Sequence, residues 1–191
     1  MDRKRVAVVG LGNVGRHCVE AVRASPDLEL AGVVRRDPVE RPADLPEVTF
    51  ARSIDELGRV DGALLACPTR MVAETAAPLL ARGIATADSF DLHGEPLLEL
   101  HRELGEAARR GKTAAAIAAG WDPGTDSIVR AILEAMAPRG VTFTDFGPGM
   151  SMGHTVAVKA IPGVKKAVAM TLPAGQGIHR RAVYVELEHG V

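Results

Sequence analysis

Cysteine is nearly absent from this chain of 191 residues, which holds only Cys18 and Cys67. Two thiols exclude a disulfide framework, and no Cys/His group has the spacing of a zinc site, so no metal and a reducing cytoplasm are expected. Aromatic residues make up only 3%, few enough that Trp121, Tyr184, Phe50, Phe90, Phe143 and Phe146 can each be followed, most of them as core. An excess of one charge is missing too, since 23 Lys+Arg stand against 24 Asp+Glu for a net charge of -1. That balance gives no global attraction to nucleic acid or to an anionic membrane. No apolar run approaches a membrane span, and the run at 6–9 is too short for a signal segment, so an untargeted, soluble chain is expected. What is present, 47% apolar and 25% charged residues, is the composition of a globular protein. The length suits one domain, or one domain and the opening of a second.

Along the chain, short apolar strands alternate with amphipathic helices. Strands are expected at 5–9, 30–34, 62–67, 84–87 and 114–118, and helices after Gly10 (with Val14, Cys18, Val19 and Val22 on one face), at 71–82 and at 96–110. This rhythm predicts an α/β fold: a doubly wound, Rossmann-type parallel sheet over residues 1–120. Beyond Gly120 the pattern changes to a helix at 126–136 and strand-like segments at 141–146, 167–172 and 182–187. These suggest an antiparallel sheet, so residues 121–191 are expected to open a second, α+β substrate or dimerisation domain that the chain does not complete.

Gly10, Gly12 and Gly15 form G-x-G-x-x-G between the first strand and the first helix, enclosing Asn13 and Val14. The first glycine permits the turn, the second lets a pyrophosphate approach the backbone, and the third lets helix pack on strand. A turn without a ligand is the less favoured alternative. Where an NAD enzyme would carry an acid after the second strand, this chain has Arg35 and Arg36, whose guanidinium groups suit a 2′-phosphate and therefore NADP. A solvated surface pair is the alternative there, and Asp37 could retain some use of NAD. Cys67, Pro68 and Thr69 follow the third major strand, at the sheet edge where such folds bind ligands; Cys67 itself reads as a small buried hydrophobe rather than a nucleophile.

Two acidic segments should reach the same edge: 88–93, with Ser89 and Asp91, and 120–124, with Trp121, Asp122, Pro123 and Gly124. Carboxylates there could bind an ammonium group and take its proton. Asp122-Pro123-Gly124 is equally good as a plain turn.

The stretches VAVVGLGNVGR, GVVRR, DSFDLHG, GWDPGTDS, FGPGMSMGHTVAVKAIPGV, MTLPAG and HRRAVYVE resemble, in order, the meso-diaminopimelate dehydrogenase family. The resemblance implies NADP-dependent, reversible oxidative deamination at the D-centre of meso-2,6-diaminopimelate, giving L-2-amino-6-oxopimelate, ammonia and NADPH. It implies that Asp91 and Asp122 hold and deprotonate the reacting amine, that Trp121, Phe146, Met152 and Gly153 shape the pocket, and that Thr171 and Arg181 take the distal carboxylate. It also implies a homodimer. Phe146 stands where many members have Trp, Met152 where many have Gln, and Val156 where many have Asp, which resembles the branch tolerant of other D-amino acids. Members continue beyond the strand at HRRAVYVE, with a His and an Asn for the pocket, so a separate C-terminal polypeptide is one expectation. A noncatalytic NADP-binding module needing a partner chain is the competing reading. Dihydrodipicolinate-reductase-like or homoserine-dehydrogenase-like enzymes share only the nucleotide half and leave GWDPG unexplained.

Overall fold

Consecutive residues of the first strand are buried, and they point alternately to the two faces of a sheet covered on both sides. In the computed structural model, which describes residues 2–37, 42–122, 124–143 and 147–189, β1 (Lys4–Val9) sends Ala7 into one apolar layer and Val8 into another. Ala7 joins Ala63, Leu65 and Val72 together with Leu80 and Leu104, both fully buried. Val8 joins Val19, Val33, Leu45 and Val48 on the opposite face.

Six parallel strands make this sheet: β1, β2 (Leu28–Val34), β3 (Phe50–Ala51), β4 (Gly62–Leu65), β5 (Ala85–Asp88) and β6 (Ala115–Ala116). Their spatial order is β3-β2-β1-β4-β5-β6, every neighbouring pair parallel. That is the doubly wound, Rossmann-like arrangement, with its order reversing between β1 and β4. The crossovers are α1 (Asn13–Ala24), α2 (Val72–Ala81) and α3 (Glu95–Gly111), beside short 3-10 turns at Ile54–Leu57 and Thr69–Met71. The α3 helix buries Leu100, Leu104, Ala107 and Ala108, whereas Leu98, which belongs to the apolar spacing that predicts this helix, is 58% exposed.

Along the rest of the chain run α4 (Thr125–Met136), β7 (Gly149–Met150), α5 (Met152–Lys159), β8 (Val164–Gly175) and β9 (Ile178–Leu187). β8 and β9 form a long antiparallel hairpin with β7 on its edge. The chain divides into two compact units, Met1–Val129 and Arg130–Val191, so the division lies inside α4, whereas the pattern of the sequence changes at 121.

Several local expectations are corrected. Val14, expected on the buried face of α1, is 54% exposed, because the helix packs through Gly15, Val19 and Val22. Residues 141–143 form no strand; Val141 and Phe143 stand exposed, with no sheet partner to satisfy an extended backbone. Residues 144–146, the remainder of that expected strand, lie outside the described residues. β3 and α5 have no counterpart in the periodicity: β3 is two residues long and α5 contains Gly153. β8 and β9 each run several residues beyond the expected 167–172 and 182–187.

Candidate active site

The ends of β1, β4, β5 and β6 carry the residues of interest in the first unit. After β1, Gly10 takes φ +96° and its N–H donates to the Val34 carbonyl at 2.8 Å. A Cβ on Gly10 would lie 2.4 Å from the Ala66 oxygen, and one on Gly15 only 2.3 Å from the Gly10 oxygen, so the turn excludes side chains at both. At Gly12, by contrast, a Cβ would meet nothing within 4 Å. Gly12 caps α1 without a side-chain hydrogen bond, no acidic residue lies in the first turn, and Asn13 and exposed Val14 begin the helix. An open cradle facing uncapped helical N–H groups fits a dinucleotide pyrophosphate.

After β2, the Arg35 N–H donates to the Ala51 carbonyl at 3.0 Å, and the Arg36 guanidinium approaches the Met71 sulfur at 3.6 Å. Cys67 follows β4 and is half-buried; burial pushes its thiol up, a Thr75 hydrogen bond acts the other way, and the Asp88 carboxylate raises it further. A protonated thiol is a poor nucleophile, as the sequence suggested. Pro68 caps the short turn Thr69–Met71, from which the Thr69 hydroxyl donates to Asp91 Oδ1.

Asp88 closes β5 and is 4% exposed. Its Oδ1 accepts the N–H groups of Phe90 and Ala118, each at 3.0 Å, and its carbonyl accepts the Ala119 N–H at 2.7 Å. Ala118 sits in the left-handed region at φ +54°, a conformation that costs a non-glycine residue about 1–2 kcal/mol. The segment 120–122 is thereby turned toward 89–93: a Cβ on Gly120 would touch that of Ser89 at 3.1 Å. His93 Nε2 stands 3.9 Å from Asp122 Oδ1, beyond hydrogen-bond range but within that of an ion pair. The Trp121 side chain is 57% exposed, while its carbonyl accepts the Asp126 N–H at 2.8 Å. Gly124, at φ +145°, leaves no room for a Cβ, which would fall 2.2 Å from the Gly120 oxygen. Pro123 and Phe146 lie outside the described residues.

In the second unit, Thr171 on β8 is buried and faces Arg181 across the hairpin. Arg181 Nη1 donates to His154 Nε2 at 2.6 Å, and Nη2 to His179 Nε2 at 3.2 Å. Since guanidinium only donates, each of those ring nitrogens must be an acceptor. Nδ1 of His154 lies 2.8 Å from Ser151 Oγ. The α5 helix docks on β8 through the buried Thr155, whose hydroxyl accepts the Ala169 N–H at 2.9 Å, which holds exposed Met152 and Gly153 beside this cluster.

Fold and sequence thus bring Ser89, Asp91, Trp121 and Asp122 into one group, and Met152, Gly153, Thr171 and Arg181 into another. Asp88, His93, Ser151, His154 and His179 received no role from the sequence. Their only signal was position: Asp88 and His93 flank Asp91, and His179 is two residues from Arg181, on the same strand face. No group of acids, His and Cys that could hold a metal occurs among the described residues.

Residues 4–87 match the model described as "Oxidoreductase family, NAD-binding Rossmann fold", and 120–188 the "Diaminopimelic acid dehydrogenase C-terminal domain". The Meso-diaminopimelate D-dehydrogenase of Bacteroides fragilis is 56% identical over all of this chain, which spans 64% of that relative's length. The Corynebacterium glutamicum protein of the same name is 34% identical over 94% of this chain, which spans 56% of it. Among solved structures, C. glutamicum DAP dehydrogenase in complex with DAP superposes with a TM-score of 0.79 at 29% identity, covering 98% of this chain and 63% of that one. An engineered D-amino acid dehydrogenase bound to NADP+ gives 0.77 at 27%, with the same coverage. The chain is thus similar over at least 94% of its length to these two Meso-diaminopimelate D-dehydrogenases, and it spans less than two thirds of the length of each.

Proposed function

We propose that this chain is the cofactor-binding part, and a portion of the substrate-binding part, of an NADP-dependent oxidoreductase that deaminates meso-2,6-diaminopimelate at its D-centre. The products are L-2-amino-6-oxopimelate, ammonia and NADPH, and the reaction is reversible. The observation that carries this reading is the meeting of segments 89–93 and 120–122 at the sheet edge that also holds the open Gly12 cradle.

Gly10, Gly12, Asn13, Val14 and Gly15 would hold the pyrophosphate through backbone N–H groups. Arg35 and Arg36 would take the 2′-phosphate, and Cys67, Pro68, Thr69, Ser89, Trp121, Pro123 and Gly124 would border the nicotinamide end. NADP bound there supplies a hydride acceptor. Asp91 and Asp122 bind the substrate ammonium by charge-assisted hydrogen bonds, and one carboxylate takes its proton as the α-carbon is oxidised. The Thr69 hydroxyl fixes the Asp91 carboxylate. Water then hydrolyses the imine, releasing ammonia.

Arg181, with Thr171, would take the distal carboxylate, for which a planar two-pronged donor is suited. Trp121, Phe146, Met152 and Gly153 would shape the pocket, and Phe146 and Met152 favour a wider range of D-amino acids. We assign the chain to the cytoplasm on its two unpaired thiols, and propose association as a homodimer.

The test is NADP reduction by the purified chain with meso-diaminopimelate and a panel of D-amino acids, with NADPH binding followed in the same samples. Turnover supports the enzyme. Binding without turnover points instead to a noncatalytic NADP-binding module that needs a partner.

A further inference from the structure

We propose that Asp88 is a positioning residue: one buried carboxylate oxygen ties together the two segments that carry Asp91 and Asp122. The inference rests on the roles proposed for those two acids. β5 and β6 are joined by only two registered pairs, Thr86 with Ala115 and Ala87 with Ala116, after which β6 ends while Asp88, the last residue of β5, still pairs with Leu65 of β4. Beyond that point Asp88 takes over. Its Oδ1 receives the Phe90 N–H, one residue before Asp91, and the Ala118 N–H, four before Asp122. Its carbonyl receives the next N–H, that of Ala119.

The clamp holds Ala118 at φ +54°, the conformation that turns the chain toward Gly120 and Trp121. The side chain is 4% exposed, and Oδ2 has no hydrogen-bond partner among the described residues. A buried carboxylate with one oxygen unsatisfied is costly, and it is tolerated where the other oxygen is needed by two backbone donors at once. Asp88 is enclosed beneath the loops rather than exposed beside Asp91, so it acts through Asp91 and Asp122 rather than on substrate.

Three measurements on the full chain test this. In the unmodified protein the Phe90 and Ala118 amides, although outside strands, should exchange with solvent at least about a thousand-fold slower than in an unfolded chain. Exchange of either as fast as an exposed loop amide overturns the proposal without any variant. Asp88→Ala should leave NADPH affinity and far-ultraviolet dichroism intact while making Trp121, the single tryptophan, more readily quenched by acrylamide, and should lower kcat about a hundred-fold with little change in KM. Asp88→Asn keeps an oxygen for both N–H groups, and should retain the wild-type Trp121 signal and most of the turnover. Two results would sink the idea: a Trp121 signal in Asp88→Ala equal to wild type, or loss of turnover in Asp88→Asn with Trp121 undisturbed, which would make Asp88 a proton-handling group. If the unmodified chain shows no turnover, the activity reading fails for this chain alone, and exchange and quenching still decide the role of Asp88.

Discussion

The two compact units are built in opposite ways. Met1–Val129 is layered, with apolar side chains buried on both faces of a parallel sheet. In Arg130–Val191, Ala169 is the one buried apolar residue among those described, while Ile132, Leu133, Met136, Val183, Val185 and Leu187 are all exposed. The first unit is held by the hydrophobic effect, the second by the backbone ladder of its hairpin. Chemistry divides along the same line. The first unit offers carboxylates beside a nucleotide cradle, and the second a guanidinium between two imidazoles.

That contrast can be broken by substitution. The largest effect is expected at Asp122→Asn, which should lower deamination by about 10²–10⁴-fold, the worth of a positioned base, with NADPH affinity near normal. Arg181→Ala should instead raise KM for a dicarboxylate and spare monocarboxylate D-amino acids; steady-state kinetics on both variants would show whether the units divide the labour in this way. Next in size, Leu80→Ala or Leu104→Ala should cost about 2–5 kcal/mol in urea unfolding followed by NADPH binding, since both are fully buried. Tyr184→Ala, on the exposed hairpin, should stay within about 0.5 kcal/mol, and an equal cost would dissolve the comparison.

Smaller still, Arg35→Ala combined with Arg36→Ala should weaken NADP(H) binding about ten- to a hundred-fold and leave NAD(H) nearly unchanged, the loss expected for charge-assisted contacts. Equal weakening of both cofactors would remove these residues from 2′-phosphate recognition. Least is expected from acid titration. The Arg5 backbone N–H, then the Arg59 guanidinium, hold Asp61 below the usual carboxylate range, and Lys165 followed by Lys166 do the same for Glu186. A lowered carboxylate contributes stability that is present above its unfolded value, about pH 4, and lost as pH falls through the folded one. Asp61→Asn and Glu186→Gln should therefore differ from wild type above about pH 4 and converge with it below, in unfolding curves taken across that range. Glu186 is exposed and Asp61 only partly so, and salt should therefore shrink the Glu186 difference more than that of Asp61.

Much of the first unit could be read in advance because its signals are local. Gly10, Gly12 and Gly15 are spaced by the needs of a single turn, and the stripe Leu100, Leu104, Ala107 declares its helix without reference to anything distant. The second unit was less legible. α5 includes Gly153 and lacks a strong apolar face; it is held by Thr155 reaching the Ala169 N–H on another element. The strand pattern at 141–143 was not realised, since alternation alone supplies no partner for the backbone. Identifying Arg181 needed the resemblance, and its partner His154 came only with the docking of α5 on β8.

By itself the sequence determined the parallel sheet, the nucleotide cradle and the candidate acids, because each depends on periodicity, glycine stereochemistry or residue type within a few positions. Tertiary structure alone decided that Asp88 spans thirty residues to Ala118, that Thr69 meets Asp91, and that Arg181 is held by His154. Those are hydrogen bonds between groups far apart in the chain, and no local propensity encodes them; they exist only once the strands have set the distances.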